Sequence, residues 1–193
     1  ECHIGYCYEG PNLPPLLDSA VHLHKLRVRG NHDPRLFWQV WRLIRALKPD
    51  VVQTWLLQMD VAGAAAALLA GVPFVLSERS SASAYPSGWK MLVRSKVGLR
   101  ASAIVANSQG GVDYWVAQGT AAPIHLIRNC VVPAKHVSAN AKDVPSESPL
   151  ILFAGRLCTD KNVSLLLDAL IQVANAMPEC VVFMFGEGPL LDE

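Results

Sequence analysis

The chain has 193 residues, of which 51% are hydrophobic and 17% charged, with a formal net charge of +1. That length allows one or two domains, and that composition supplies a packed core and excludes a disordered chain. The near-neutral balance excludes a partner bound through bulk charge, so no nucleic-acid partner is expected.

Cys2, Cys7, Cys130, Cys158 and Cys180 are scattered, with no CxxC or metal-ligand spacing, and read as reduced thiols in a cytoplasmic protein. No basic stretch followed by an apolar run opens the chain, so no signal peptide is expected. The longest uncharged run, 61–76, is too short to span a bilayer and contains Gly71 and Pro73. The first thirty residues carry Pro11, Pro14 and Pro15, which break any long element. A short strand is expected over 21–28. His22, His24 and His32 lack metal-ligand spacing and are expected to be structural.

Apolar residues at helical spacing predict an amphipathic helix over 34–47, capped by Asp33 with Pro34 at its first position. Trp38 and Trp41 fall on its apolar side and are expected in the core. Pro49 stops this helix, and 51–55 reads as a buried strand. The pattern then repeats: an alanine-rich helix over 61–69 ended by Gly71, a strand over 73–77, and a basic amphipathic helix over 89–100. A strand over 103–107, a helix over 111–117 ended by Gly119, and a strand over 124–128 follow. Alternating strands and helices predict a parallel, doubly wound sheet.

The segment 133–149 holds three prolines, three serines and little periodicity, and reads as a linker. From Leu150 the alternation resumes as a strand, a basic loop, a long amphipathic helix, a second strand and the turn Gly186-Glu187-Gly188-Pro189. Arg156 and Lys161 sit where the first of these strands hands over to the helix. In a parallel α/β sheet ligands bind at the carboxyl ends of the strands, and two cations there suit a phosphate or diphosphate. The expected organisation is a Rossmann-like domain over 1–132 whose start is missing, the linker, and the beginning of a second Rossmann-like domain over 150–193. Because the chain opens on Glu1 and stops just past a glycine turn, it reads as an internal piece of a longer protein.

Four stretches, in order over roughly residues 40 to 193, carry a resemblance. They are Lys48-Pro49-Asp50-Val51-Val52; Ala106-Asn107-Ser108 with Gly110-Gly111; Ile127-Arg128-Asn129-Cys130-Val131; and Gly155-Arg156-Leu157 with Lys161-Asn162 and Gly186-Glu187-Gly188-Pro189. Together they resemble the retaining, nucleotide-sugar-dependent transferases called glycosyltransferase family 4, or group 1. The chain departs from that pattern at Cys130 and Arg128, which replace a glycine and a proline. It departs again at Ser77-Glu78-Arg79, where many relatives carry a histidine thought to contact the donor sugar.

The resemblance implies an α/β protein of GT-B fold, with two Rossmann-like doubly wound parallel-sheet domains, both incomplete here. It implies catalytic roles for Arg156 and Lys161, which would stabilise the charge growing on the leaving diphosphate. Gly155, Asn162, Gly186, Glu187, Gly188 and Pro189 would line the donor, with Glu187 pointing more to solvent than to substrate. On the acceptor or sugar side, Glu78 and Arg79 follow a buried strand, where they could contact substrate or be a solvated loop pair. Asn107 and Ser108 are the other strand-end pair, with helix capping their preferred reading.

No cofactor and no metal is expected, the nucleotide-diphosphate sugar being the substrate. The partners implied are that donor and a glycan or lipid-linked acceptor, with the family's link to polysaccharide biosynthesis as background. The helix 89–100, with Lys90, Arg94, Lys96 and Arg100, is a candidate peripheral membrane contact at the inner face, although a solvated basic face is the preferred reading. Two other functions share the fold or the fragment: a GT-B nucleotide-sugar epimerase, and a non-catalytic binding module. The piece alone is expected to be inactive. A dinucleotide-dependent oxidoreductase is disfavoured, because no GxGxxG occurs.

Overall fold

The computed structural model describes residues 1–10, 13–30, 33–80, 88–131 and 148–191. The chain divides into two compact units, Glu1–Val131 and Val132–Glu193. Nearly all of the expected linker, and His32, lie outside the described residues.

The first unit opens with β1 (His3–Tyr6) and β2 (His22–Lys25), paired in parallel from His3↔His22 to Tyr6↔Lys25. Between them α1 (Pro14–Leu17) is one turn, with proline at its start, where the missing N–H has no helical partner to lose. In α2 (Arg35–Leu47), Leu36, Val40 and Ile44 recur every four residues and are buried, so one face enters the core. Arg35, Trp38, Arg42 and Arg45 trace the exposed stripe of the same helix. Trp38 is 54% exposed, which overturns its expected core position, whereas Trp41 is half-buried.

α2 starts one residue later than expected, with Pro34 at the N-cap, and Asp33 just ahead of it still accepts from the helix start. Its carboxylate accepts from the backbone N–H groups of Arg29 and Arg35 at 2.8 and 3.0 Å. It also holds the Arg35 guanidinium at 2.6 Å, and that bond, then the backbone donors, keep it well below the usual carboxylate range.

The larger sheet contains β3 (Val52–Trp55), β4 (Phe74–Glu78), β5 (Ala103–Ala106) and β6 (Ile124–Leu126). All four are parallel, and each lies beside its predecessor in sequence. The crossovers are α3 (Leu56–Ala70), α4 (Trp89–Gly98) and α5 (Gln109–Ala117). The register sets Trp55 beside Ser77, Glu78 beside Ala106 and Ala106 beside Leu126, so the carboxyl ends of the strands form one edge. α3 begins five residues earlier than its alanine run suggests, from Leu56, which is held at φ 71. It ends at Gly71, whose φ of 70 is the left-handed C-terminal conformation that glycine adopts without strain.

The core joins Leu36, Val40 and Ile44 of α2 to Ala64 and Ala67 of α3, Phe74 and Leu76 of β4, Ile104 of β5 and Trp115 of α5. Trp115 is fully buried, and its ring fills the space a side chain on Gly98 would need. Gly98→Ala is therefore expected to destabilise the unit by about 1–3 kcal/mol through overpacking, although alanine is the better helix former. A urea midpoint unchanged or raised in the variant would refute this packing.

The second unit is a β-α-β element: β7 (Leu150–Ala154), a 3-10 turn Thr159–Lys161, α6 (Val163–Ala176) and β8 (Val181–Phe185). The strands pair in parallel from Leu150↔Val181 to Ala154↔Phe185. Its described residues bury Leu157 and Val163, while Leu152, Leu165, Ile171 and Phe185 stay exposed. No helix among the described residues is long and apolar enough to cross a membrane.

Candidate functional site

In the second unit the strand ends bring together Gly155, Arg156 and the turn Gly186-Glu187-Gly188-Pro189. The Gly155 N–H donates to the Phe185 carbonyl at 2.9 Å, and the Leu157 N–H to the Glu187 carbonyl at 2.9 Å. A Cβ on Gly186 would fall on the Gly155 carbonyl, and one on Gly188 on the Leu157 carbonyl. The bare faces of these glycines are thus used by one strand end lying on the other, and any ligand at this edge approaches from a different side. Glu187 is exposed, as expected.

Arg156 and Lys161 are exposed, and among the described residues neither makes an ion pair, Asp160 included. Lys161 closes the 3-10 turn, its N–H donating to the Cys158 carbonyl at 3.0 Å. Asn162 follows in the left-handed region at φ 51 and gives α6 no side-chain cap. The first N–H groups of a fourteen-residue helix are therefore left without a side-chain acceptor, beside an exposed lysine. Two cations that form no ion pair among the described residues and an uncapped helix start lie at this edge, together with the exposed carboxylates of Asp160 and Glu187.

The edge of the first unit is built differently. Glu78 is the last residue of β4, is fully buried, and does not pair with Arg79. Its Oε2 accepts from Arg94 Nη2 at 2.9 Å and from the Trp115 indole N–H at 3.0 Å, and its Oε1 accepts from the Ser80 N–H at 3.0 Å. Arg94 Nε donates to Asp60 Oδ2 at 2.8 Å, and the Thr54 hydroxyl donates to Asp60 Oδ1 at 2.7 Å. Burial pushes the Asp60 carboxyl up against the pull of Arg94. The solvated-pair reading of Glu78 is overturned, and so is the place of Arg94 on an exposed basic face of 89–100. Glu78 is an anchor under the strand ends: its carbonyl also accepts from the Asn107 N–H at 3.1 Å.

Arg79 lies above that anchor. Its guanidinium carbon is 4.1 Å from the centre of the Trp55 ring, and Nη1 donates to the Asn129 side-chain oxygen. Its Nε has no hydrogen-bond partner among the described residues. Arg79 therefore spans the edge from β3 to the segment after β6, a planar cation on a half-exposed tryptophan. Ser108 caps α5, accepting from the Gly111 N–H at 3.3 Å, so capping is its role, and Asn107 makes its contact with Glu78 through backbone.

Sequence reasoning missed Asp60, Arg94, Trp55 and Asn129 as members of this edge. A signal existed for two of them. Asp60 is the one charged residue of α3, and Arg94 shares a helix face with Val97 and Gly98, both buried. Charges so placed require partners. The histidines meet as well: His3 Nδ1 lies 3.1 Å from His24 Nε2 and its ring stacks on His22 at 4.8 Å. Among the described residues no group of His, Cys, Asp and Glu is arranged to hold a metal ion.

Residues 5–130 match the family model described as a glycosyl transferase 4-like domain. The chain belongs to that family. Among curated proteins none matches it. This glycosyl transferase 4-like chain resembles the crystal structure of Anabaena HepE in complex with UDP-glucose, at 20% identity and a TM-score of 0.74, over 99% of this chain and 54% of HepE. It resembles the S. aureus MnaA–UDP structure at 16% identity and a TM-score of 0.56, over 86% of this chain and 48% of MnaA. A Listeria monocytogenes protein assigned as a UDP-N-acetylglucosamine 2-epimerase matches at 15% identity and a TM-score of 0.56, over 83% of this chain and 47% of its own. The chain thus spans about half the length of the structures it resembles, and the likeness establishes the GT-B, Rossmann-like fold.

Proposed function

We propose that the protein transfers a sugar from a nucleotide-diphosphate sugar to a glycan or lipid-linked acceptor, with retention of configuration and without a metal. The observation that carries this reading is two exposed cations without an ion pair among the described residues, Arg156 just after β7 and Lys161 beside the uncapped start of α6, in a glycosyl transferase 4-like chain. Breaking the bond between the anomeric carbon and the diphosphate puts negative charge on the leaving phosphate. A guanidinium can bond two of its oxygens at once, an ammonium adds a mobile point charge, and the helix start adds aligned N–H groups. These groups supply the positive charge that a metal would otherwise bring, and no cofactor has a step to perform.

In this reading Gly155, Asn162 and the 186–189 turn border the donor, and Arg79 on Trp55 faces the acceptor or the sugar. A lipid-linked acceptor would bring the protein to the inner face of the membrane, with the helix 89–100 as its contact.

The likeness to the Listeria protein assigned as a UDP-N-acetylglucosamine 2-epimerase favours epimerisation as the second reading. The two are separated with the full-length protein and UDP-sugars, the nucleotide bound by HepE and MnaA. A transferase releases UDP and labels an acceptor; an epimerase converts the nucleotide sugar with no acceptor present. Transfer is expected to persist in EDTA, and activity lost in EDTA but restored by magnesium would refute the metal-free reading.

A further inference from the structure

The carboxyl edge of the larger sheet holds a cation whose hydrogen bonding is incomplete. Arg79 follows β4, and its guanidinium carbon lies 4.1 Å from the centre of the half-exposed Trp55 ring. Nη1 donates to the Asn129 side-chain oxygen. The other edge of the guanidinium, Nε with Nη2, bonds nothing among the described residues, and the Nε atom is buried. Two other arginines show what this chain places on that edge. Arg35 sets Nε and Nη2 on the Asp33 carboxylate at 2.9 and 2.6 Å. Arg94 gives Nε to Asp60 at 2.8 Å and Nη2 to Glu78 at 2.9 Å. Arg79 is fixed in place as they are, yet it has no carboxylate among the described residues. Glu78, its neighbour in the chain, is engaged by Arg94 and Trp115. In the segments that follow β4, β5 and β6, residues 79–80, 107–108 and 127–129, the charged residues are Arg79 and Arg128, both basic.

We propose that Arg79 is a specificity-determining residue that reads an anion on the acceptor, a carboxylate or a phosphate, so that the acceptor is an acidic or a phosphorylated sugar. The Nε–Nη2 edge carries two parallel N–H groups and matches two oxygens of either anion, and such charge-assisted pairs are the strong ones. Stacking on Trp55 fixes the guanidinium plane and covers one of its faces, which leaves the edge for a ligand. A buried N–H without an acceptor costs free energy, and a ligand oxygen placed on it removes that cost. Arg128, exposed and next to Asn129 in the chain, adds attraction for the same charge. A neutral glycan would leave the Nε–H as it stands, so the site discriminates by charge as well as by shape. Naming the ligand an acceptor rests on the transfer proposed above; the anion site itself does not.

The test is binding to the full-length protein in an R156Q/K161Q background, which removes the exposed cations of the second unit as a competing anion site. Glucose, glucuronic acid and glucose phosphorylated on its primary hydroxyl are titrated by calorimetry, and the Arg79 Nε–H signal is followed by NMR. At least one of the two anionic sugars is expected to bind about tenfold or more tighter than glucose, the scale of a hydrogen bond to a charged group. The same sugar should shift the Arg79 Nε–H signal, which glucose leaves in place. A response to glucuronic acid assigns an acidic sugar, and a response to the phosphate ester a phosphorylated one. R79Q should bring the anionic sugars down to the level of glucose, with far-UV circular dichroism as the folding control. Absent or equal binding of the three sugars, an unmoved Nε–H signal, or a preference that survives in folded R79Q overturns the proposal. The NMR measurement needs no change at Arg79, so it decides the matter even where R79Q fails to fold. The UDP-sugar assay reads separately on transfer: it can fail while the anion site stands, and the reverse.

Discussion

Arg94→Ala is expected to destabilise the first unit by about 3–5 kcal/mol, the cost of removing one member of a buried ion pair. Arg94 is fully buried, and it bridges two carboxylates that are also fully buried, Asp60 at 2.8 Å and Glu78 at 2.9 Å. Its removal leaves both carboxylates without their cation in a medium that solvates charge poorly. The loss exceeds that from any exposed arginine, because surface pairs contribute about 0–1 kcal/mol. Arg94→Lys is a useful companion: one ammonium cannot reproduce the fork that bonds both acids, so most of the loss should persist. Urea unfolding followed by circular dichroism measures both variants. An Arg94→Ala protein within about 1 kcal/mol of the parent would mean that water or rearrangement solvates the acids, and the anchor would then not be what fixes the strand ends.

Arg156→Ala, made in the full-length protein, is expected to lower kcat by about two to three powers of ten, the scale seen when one group stabilising transition-state charge is removed. The fold should be untouched, since Arg156 is exposed and has no ion pair among the described residues. If the arginine acts on the leaving phosphate, kcat and kcat/KM fall together. A rise in KM with kcat unchanged would assign it to donor binding alone, and unchanged kinetics would remove it from the mechanism. The contrast between the two arginines is the central test of the site: one should alter stability, the other turnover.

Much of this architecture was legible in the sequence, for identifiable reasons. Leu36, Val40 and Ile44 repeat at a helix period, and the apolar runs that became β4, β7 and β8 end at a charged residue or a glycine. Gly71 and Ser108 stood at helix boundaries and do there what their chemistry favours. What stayed hidden depends on contacts distant in sequence. β1 is four residues, His3–Tyr6, too short to display a period, and it is defined by pairing with a strand nineteen residues further on in register. Arg94 meets Asp60 across 34 residues and Glu78 across 16. Periodicity over a helix counts Arg94 as one more cation, and only the folded neighbourhood makes it a core residue. Trp38 failed in the opposite direction: its side chain suggested burial, while its position, three residues after Arg35 and four before Arg42, put it on the exposed stripe. The edge that carries Arg156 was legible as a place because strand ends are fixed by topology, whereas the edge of the first unit depended on Trp55 and Asn129 meeting Arg79.

The contact of Gly186 with Gly155, and of Gly188 with Leu157, is made by main chain on main chain. Its geometry is therefore indifferent to what side chains the intervening positions carry. Positions 156 and 187 can exchange one chemistry for another while the two loops keep their paths, whereas anything larger than hydrogen at 186 or 188 must push the loops apart. This edge accordingly carries two separable kinds of position. One, restricted to glycine, preserves the frame; the other is open to substitution and can retune which ligand the frame receives without the frame having to be reinvented.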